Sequence, residues 1–175
     1  MENYGKWKEV FRSRYFRFSL LVSMLNYSRW SQSLWWEDPI SVMPNLLGFT
    51  LGGLALSLAI GDREFYAMLS SDKEENPSLY VISISSFIHF ITIQVLSLLS
   101  AITLRSFYNE EIITSFLFSI NNPILECCVW IVKYLSWFTG YLLFIYSIAL
   151  VLATAINILH ISKWYSHFLS MPDEN

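Results

Sequence analysis

The sequence predicts an all-α integral membrane bundle with four transmembrane helices and both termini in the cytoplasm. Three observations point to it. Charged residues make up only 14% of the 175-residue chain and apolar residues 54%. Soluble domains carry about 25% charge, which their wet surface needs. Segments 40–60, 79–104 and 134–161 contain no Asp, Glu, Lys or Arg, and each is long enough as a helix to cross about 30 Å of hydrocarbon. Finally, Lys and Arg are unevenly divided between the two sides that these segments define. The length suits a single transmembrane domain over residues 1–175.

In chain order, residues 1–17 form a basic cytoplasmic segment with Lys6, Lys8, Arg12, Arg14 and Arg17 among Trp7, Val10 and Phe11. That mixture suits a helix lying on an anionic inner leaflet. Residues 18–36 are the first membrane helix. Their second half carries Asn26, Ser28, Arg29, Ser31, Gln32 and Ser33, so the segment either crosses with Arg29 turned toward protein or lies in the interface. Basic residues ahead of the apolar run 18–25 also resemble a signal peptide, but the Trp30, Trp35 and Trp36 flank argues against cleavage. Helix 40–60 follows, then an acidic cytoplasmic loop, 61–78, with Asp62, Glu64, Asp72, Glu74 and Glu75. Helix 79–104 leads to an outer loop, 105–133. There Ile112, Ile113, Phe116, Leu117 and Ile120 recur at helical spacing before the break at Asn121-Asn122-Pro123. Helix 134–161 ends the membrane part. This arrangement leaves Lys6, Lys8, Arg12, Arg14, Arg17, Arg63, Lys73 and Lys163 on one side, against Arg105 and Lys133 on the other. The more basic side is the cytoplasmic one.

The densest motif is Pro44-Asn45-Leu46-Leu47-Gly48-Phe49-Thr50-Leu51-Gly52-Gly53. Gly48 and Gly52 form a GxxxG pair, Gly53, Ser57 and Gly61 a second small-residue row, and Ala55 with Ala59 a third. Small residues one turn apart let two helix backbones approach closely, which matters where lipid removes the hydrophobic drive between helices. Packing within one subunit, an interface between subunits and a pore-lining helix all use that property. Polar groups at membrane depth are costly and so informative. Arg29 is expected to pair with Glu37, Asp38 or Glu126, the alternative being a sensor or ion-path role. His89 lies among Ser85, Ser86 and Thr92, with Ser100 further along. It is either hydrogen-bonded to a neighbouring helix or a proton-sensitive, water-lined position. Gln94 is expected to donate between helices. Gly140, Ser147 and Thr154, seven residues apart, mark a packing seam, with Ser136 and Asn157 on the adjacent stripe. His160, Lys163 and His167 read as contacts to lipid phosphate or water rather than as metal ligands. Cys127 and Cys128 are neighbours with no third cysteine to pair with and read as apolar filler near a boundary.

No nucleophile–base pair or paired carboxylate falls inside these helices, so the expectation is a non-enzymatic protein with no cofactor or bound metal. Its partners are the bilayer, further copies of itself and a cytosolic protein docked on the 61–78 loop. A net charge of −3 gives no footprint for direct nucleic-acid binding. The Pro44–Gly53 stretch and the Gly61-Asp62 exit resemble small four-helix bacterial membrane proteins of anti-phage defence systems, the transmembrane component of Kiwa among them. The resemblance covers about 20 residues plus size and helix number, with no unique motif. It implies a multi-pass inner-membrane subunit that oligomerises and acts as sensor or effector with a cytosolic partner. The alternative expectation is an ion channel or pore, drawn from the hydroxyl-rich face around His89. Rings of like charge would then sit at its mouths, Glu110 and Glu111 at one and Asp62 and Glu64 at the other.

Overall fold

The computed structural model describes residues 12–32, 34–59, 63–71, 78–107 and 123–170. Among them the chain is all helical, with no strand. The helices are α1 (Arg14–Leu25), α2 (Tyr27–Trp30), α3 (Glu37–Ala59), α4 (Arg63–Ser71), α5 (Leu79–Phe107) and α6 (Pro123–Leu169). Three of them, α3, α5 from Tyr80 and α6, are long and apolar enough to cross a membrane. At 1.5 Å per residue, the 23 residues of α3 span about 35 Å and the 29 of α5 about 43 Å.

The first sequence-predicted helix, 18–36, is not one helix. The chain breaks at Asn26, whose side-chain Nδ2 donates to the Val22 carbonyl at 2.8 Å beside the backbone N–H of the same residue at 3.0 Å. An Asn that bonds its own backbone competes with helix propagation. The 12 residues of α1 cover about 18 Å, short of the hydrocarbon thickness. After α2 the backbone reverses through Leu34, at φ 77°, a left-handed conformation uncommon outside Gly, Asn and Asp. That turn delivers Trp35 and Trp36 into the bundle.

A second difference concerns 105–133. Residues 123–133 belong to α6, which runs unbroken for 47 residues, about 70 Å. Pro123 is tolerated at the first helical position, because its missing N–H would have no partner there, and nothing from Ile124 to Tyr134 breaks a helix. The predicted amphipathic run 112–120 lies outside the described residues. In the 61–78 loop, residues 63–71 are the helix α4 rather than open loop. Phe65 and Leu69 of α4 are buried, and Phe65 meets the rings of Tyr165 and Phe168 on α6. The Tyr66 hydroxyl donates to the Ser57 and Leu58 carbonyls at the end of α3, satisfying acceptors that a helix terminus leaves open.

The core is a seam where α3, α5 and α6 meet, with α1 laid along α6 and α4 against α5. A 3.5-residue repeat runs through the buried positions. On it lie Met43, Thr50 and Ser57 of α3, and Ser83, Phe87, Phe90, Gln94, Ser97 and Ala101 of α5. On α6 it includes Gly140, Phe144, Ser147, Thr154 and Ile161, among further buried residues such as Tyr146, Leu150 and Ala153. That period belongs to left-handed packing of near-parallel or antiparallel helices. Cross-links along the seam set α5 antiparallel to both neighbours. Arg105 meets Glu37 at one end and Gln94 meets Thr50 lower down, while Gly140 lies near Leu104 and Asn157 meets Ser83. Polarity is inverted relative to a soluble bundle. Thr50, Ser57, Ser97, Ser147 and Thr154 are buried, while Leu51, Leu56, Ile88, Val95, Leu96, Leu99, Leu152 and Ile156 face outward. Together with three spans of sufficient length, this describes a membrane-embedded protein.

Candidate functional site

The features that could carry function are the small-residue faces of α3, the polar interior and the two ends of the bundle. On α3 the structure separates glycines that are adjacent in sequence. Gly53 is buried, and a Cβ there would sit 2.9 Å from Ile158 Cδ1, 3.5 Å from Thr154 and 3.6 Å from Phe87. Ser57, one turn on, is buried with its hydroxyl donating to the Gly53 carbonyl at 2.8 Å. This row therefore packs α3 within the subunit. Gly48 and Gly52 face the other way, with nothing within 4 Å of an added Cβ. They continue into a longer exposed stripe, Ser41, Asn45, Gly48, Gly52, Ala55 and Ala59, alternately four and three residues apart. The rows thus regroup. Ala55 and Ala59 extend the GxxxG pair rather than forming a face of their own. Gly61 lies outside the described residues.

Inside the bundle, Gln94 Nε2 donates to Thr50 Oγ1 at 2.9 Å, joining α5 to α3. The Thr50 hydroxyl in turn donates to the Leu46 carbonyl at 3.0 Å. Asn157 Oδ1 accepts from Ser83 Oγ at 3.1 Å, and its Nδ2 approaches the Ser83 carbonyl at 3.4 Å. Ser147 donates to the Phe144 carbonyl and lies 3.2 Å from Met43 Sδ. His89 is half-buried, with Nε2 3.3 Å from the Tyr146 hydroxyl. Its partner is thus a phenol on the neighbouring helix α6. Ser86 and Thr92 bond back to their own helix, through the Ile82 and Ile88 carbonyls. Thr92 is exposed and Ser85, Ser86 and Ser100 are intermediate, so this hydroxyl-rich face lies at the perimeter, not along the central seam.

Arg29 is not inside a long apolar helix. It sits on α2 at the bundle end occupied by Trp35 and Trp36. There it forms a two-pronged ion pair with Asp38, Nη2–Oδ1 2.7 Å and Nε–Oδ2 2.9 Å. Of the three carboxylates offered by the sequence, Asp38 is the partner, while Glu37 takes Arg105 at 3.5 Å. Both carboxylates lie in the first turn of α3, where negative charge also suits the helix dipole.

Beneath this pair lies the feature that sequence reasoning missed. Trp35 is fully buried, and Gly140 makes room for it: a Cβ on Gly140 would fall 2.6 Å from Trp35 Cη2 and 3.1 Å from Leu104 Cδ1. Trp36, Trp137, Tyr141 and Phe144 close around it, with Trp35–Tyr141 and Trp36–Trp137 ring centroids 5.9 and 5.7 Å apart. Trp30 packs on Phe138 and donates from Nε1 to the Ser23 carbonyl at 2.9 Å. Gly140 carried a seam signal and the tryptophans a membrane-interface signal, but nothing local in the sequence pairs them. Nearby, Lys133 Nζ lies over both Trp130 and Trp137, 4.6 and 4.5 Å from the ring centroids.

At the far end, Glu64 is exposed on α4, while Asp62, Asp72, Glu74 and Glu75 lie outside the described residues. His160, Lys163 and His167 are exposed on one stripe of α6. Cys127 and Cys128 are free and exposed on the first turns of α6.

In comparisons with known protein families, characterised proteins and solved structures, nothing matches this chain.

Proposed function

We propose that this protein is a non-enzymatic membrane subunit that self-associates through α3 and acts as a sensor or effector with a cytosolic partner. The observation that carries the reading is the exposed stripe from Ser41 to Ala59. Six small or short polar residues face outward at a coiled-coil period on a span whose large exposed residues are Phe49, Leu51, Leu56 and Leu58. Glycines facing lipid contribute little contact, whereas glycines facing another helix permit close backbone approach. Asn45 strengthens the case, since an amide costs less facing the same amide on a second copy than facing hydrocarbon.

Four crossings with both termini cytoplasmic belong to this proposal. The excess of Lys and Arg on one side supports it. The far end is then cytoplasmic, and α4 presents Arg63, Glu64 and Ala67 outward as part of a docking surface for the partner. A role in bacterial anti-phage defence, at the inner membrane, rests on the sequence resemblance alone. A second reading, a pore, is favoured by the perimeter position of His89, Ser86 and Thr92. Its conducting path would run between copies, because Trp35 and Trp36 fill the interior of each subunit.

Single cysteines test the self-association, introduced after Cys127→Ser and Cys128→Ser remove the exposed native thiols. In membranes, Gly48→Cys and Gly52→Cys are expected to form oxidant-induced dimers readily. Leu51→Cys, exposed but off the stripe, is expected to do so several-fold less. Equal yields at all three positions, or no dimer at any, would contradict the interface.

A further inference from the structure

Two polar atoms in the middle of the seam have no hydrogen-bond partner among the described residues: Gln94 Oε1 and Ser97 Oγ. Both side chains are fully buried. They lie three residues apart on α5, hence on one face and about one turn from each other. Gln94 has already committed its amide N–H to Thr50 Oγ1, and the Thr50 proton is committed to Leu46. The lone pairs of Oε1 are therefore an acceptor in search of a donor, and the Ser97 hydroxyl is both donor and acceptor.

Buried polar groups in native proteins are satisfied almost without exception, by protein or by ordered water. The antiparallel register that sets Leu104 near Gly140 and Ala101 in one cluster with Phe144 brings Ser97 to the level of Ser147. Ser147 has spent its proton on Phe144 but keeps acceptor capacity. We propose that Gln94 and Ser97 hold one ordered water inside the bundle. The water donates to Gln94 Oε1, accepts from the Ser97 hydroxyl, and turns its second proton toward Ser147. Three partners are what an internal water ordinarily finds. A cation is the poorer occupant, since among the described residues no carboxylate faces the site to offset a buried charge. The hydration site goes beyond the proposed self-association and does not depend on it, because these residues point away from the Gly48–Gly52 face.

The test pairs a map with a mutation. In a nanodisc reconstruction that resolves ordered solvent, a peak is expected within hydrogen-bond distance of both Gln94 Oε1 and Ser97 Oγ. Ser97→Ala removes one anchor and is expected to lower the thermal unfolding midpoint and to weaken or abolish that peak. A dry site predicts the reverse sign: the variant would lose an unsatisfied hydroxyl, and its midpoint would rise. The proposal is overturned by an empty site in the map, by a Ser97 hydroxyl turned onto its own helix carbonyl, or by a raised midpoint in the variant. Gln94→Met, measured alongside, is expected to lose the same peak while keeping the fold; persistence of the peak would equally overturn it.

Discussion

Replacing Trp35 with Ala is expected to destabilise the protein by about 3–5 kcal/mol, the range for removing a fully buried large aromatic side chain. The indole fills the space that Gly140 leaves open and touches Tyr141 and Trp36. Its loss opens a cavity at the point where the turn after α2, the start of α3 and the middle of α6 converge. Gly140→Leu attacks the same contact from the other side. Its Cβ would fall 2.6 Å from the ring, and overpacking of a filled core typically costs about 1–3 kcal/mol. The two changes are coupled through one contact, so they are not expected to add. Leu at position 140 has room only when Trp35 is gone, and the double variant should be less damaged than the sum of the singles. Reversible unfolding in bicelles, read by tryptophan fluorescence and by protease protection, measures all three. Additive losses would mean that Trp35 and Gly140 do not share a site.

The second large effect is a contrast between adjacent glycines. Gly52→Leu is expected to leave the fold intact, since nothing lies within 4 Å of the new Cβ and Leu favours helix over Gly by about 0.8–1 kcal/mol. Self-association, however, should fall at least tenfold, because the larger side chain holds two α3 backbones apart. Gly53→Leu should do the opposite. Its side chain is driven into Ile158, Thr154 and Phe87, so the subunit loses stability by about 1–3 kcal/mol. Monomer–oligomer equilibrium measured by single-molecule photobleaching in liposomes, beside the unfolding midpoint of each variant, separates the two outcomes. Should Gly52→Leu associate as the parent does, the exposed stripe is a lipid face and nothing more.

Much of this architecture was legible in the sequence, and the failures are local and physical. Three charge-free segments mark the long helices because hydrocarbon tolerates no unpaired charge there. Helix ends were less legible. Apolarity ceases to mark a boundary where a helix continues past the bilayer, so α6 begins at Pro123 and not at Tyr134. The 18–36 segment was divided by Asn26, whose side chain competes for the Val22 carbonyl, an effect that hydropathy does not register. The candidate site was half legible. Small residues announced close packing, yet Gly48, Gly52 and Gly53 lie within a turn and a half of one another. Which of them faces a neighbour depends on where α5 and α6 dock. Arg29 announced an ion pair, but the choice of Asp38 over Glu37 or Glu126 is set by the turn through Leu34. The lock between Trp35 and Gly140 joins residues more than 100 positions apart and left no local trace.

A membrane bundle stands or falls by which side chains meet hydrocarbon. Spin labels on a background without Cys127 and Cys128 measure this in reconstituted liposomes, placed at Ile88, Val95 and Ile156, which face outward from α5 and α6. Collision with lipid-soluble oxygen should be high at all three sites, and collision with a water-soluble nickel chelate should be low. Frequent nickel collisions at these positions would mean that the outward leucine and isoleucine faces are bathed in water, and the membrane bundle described above would not stand.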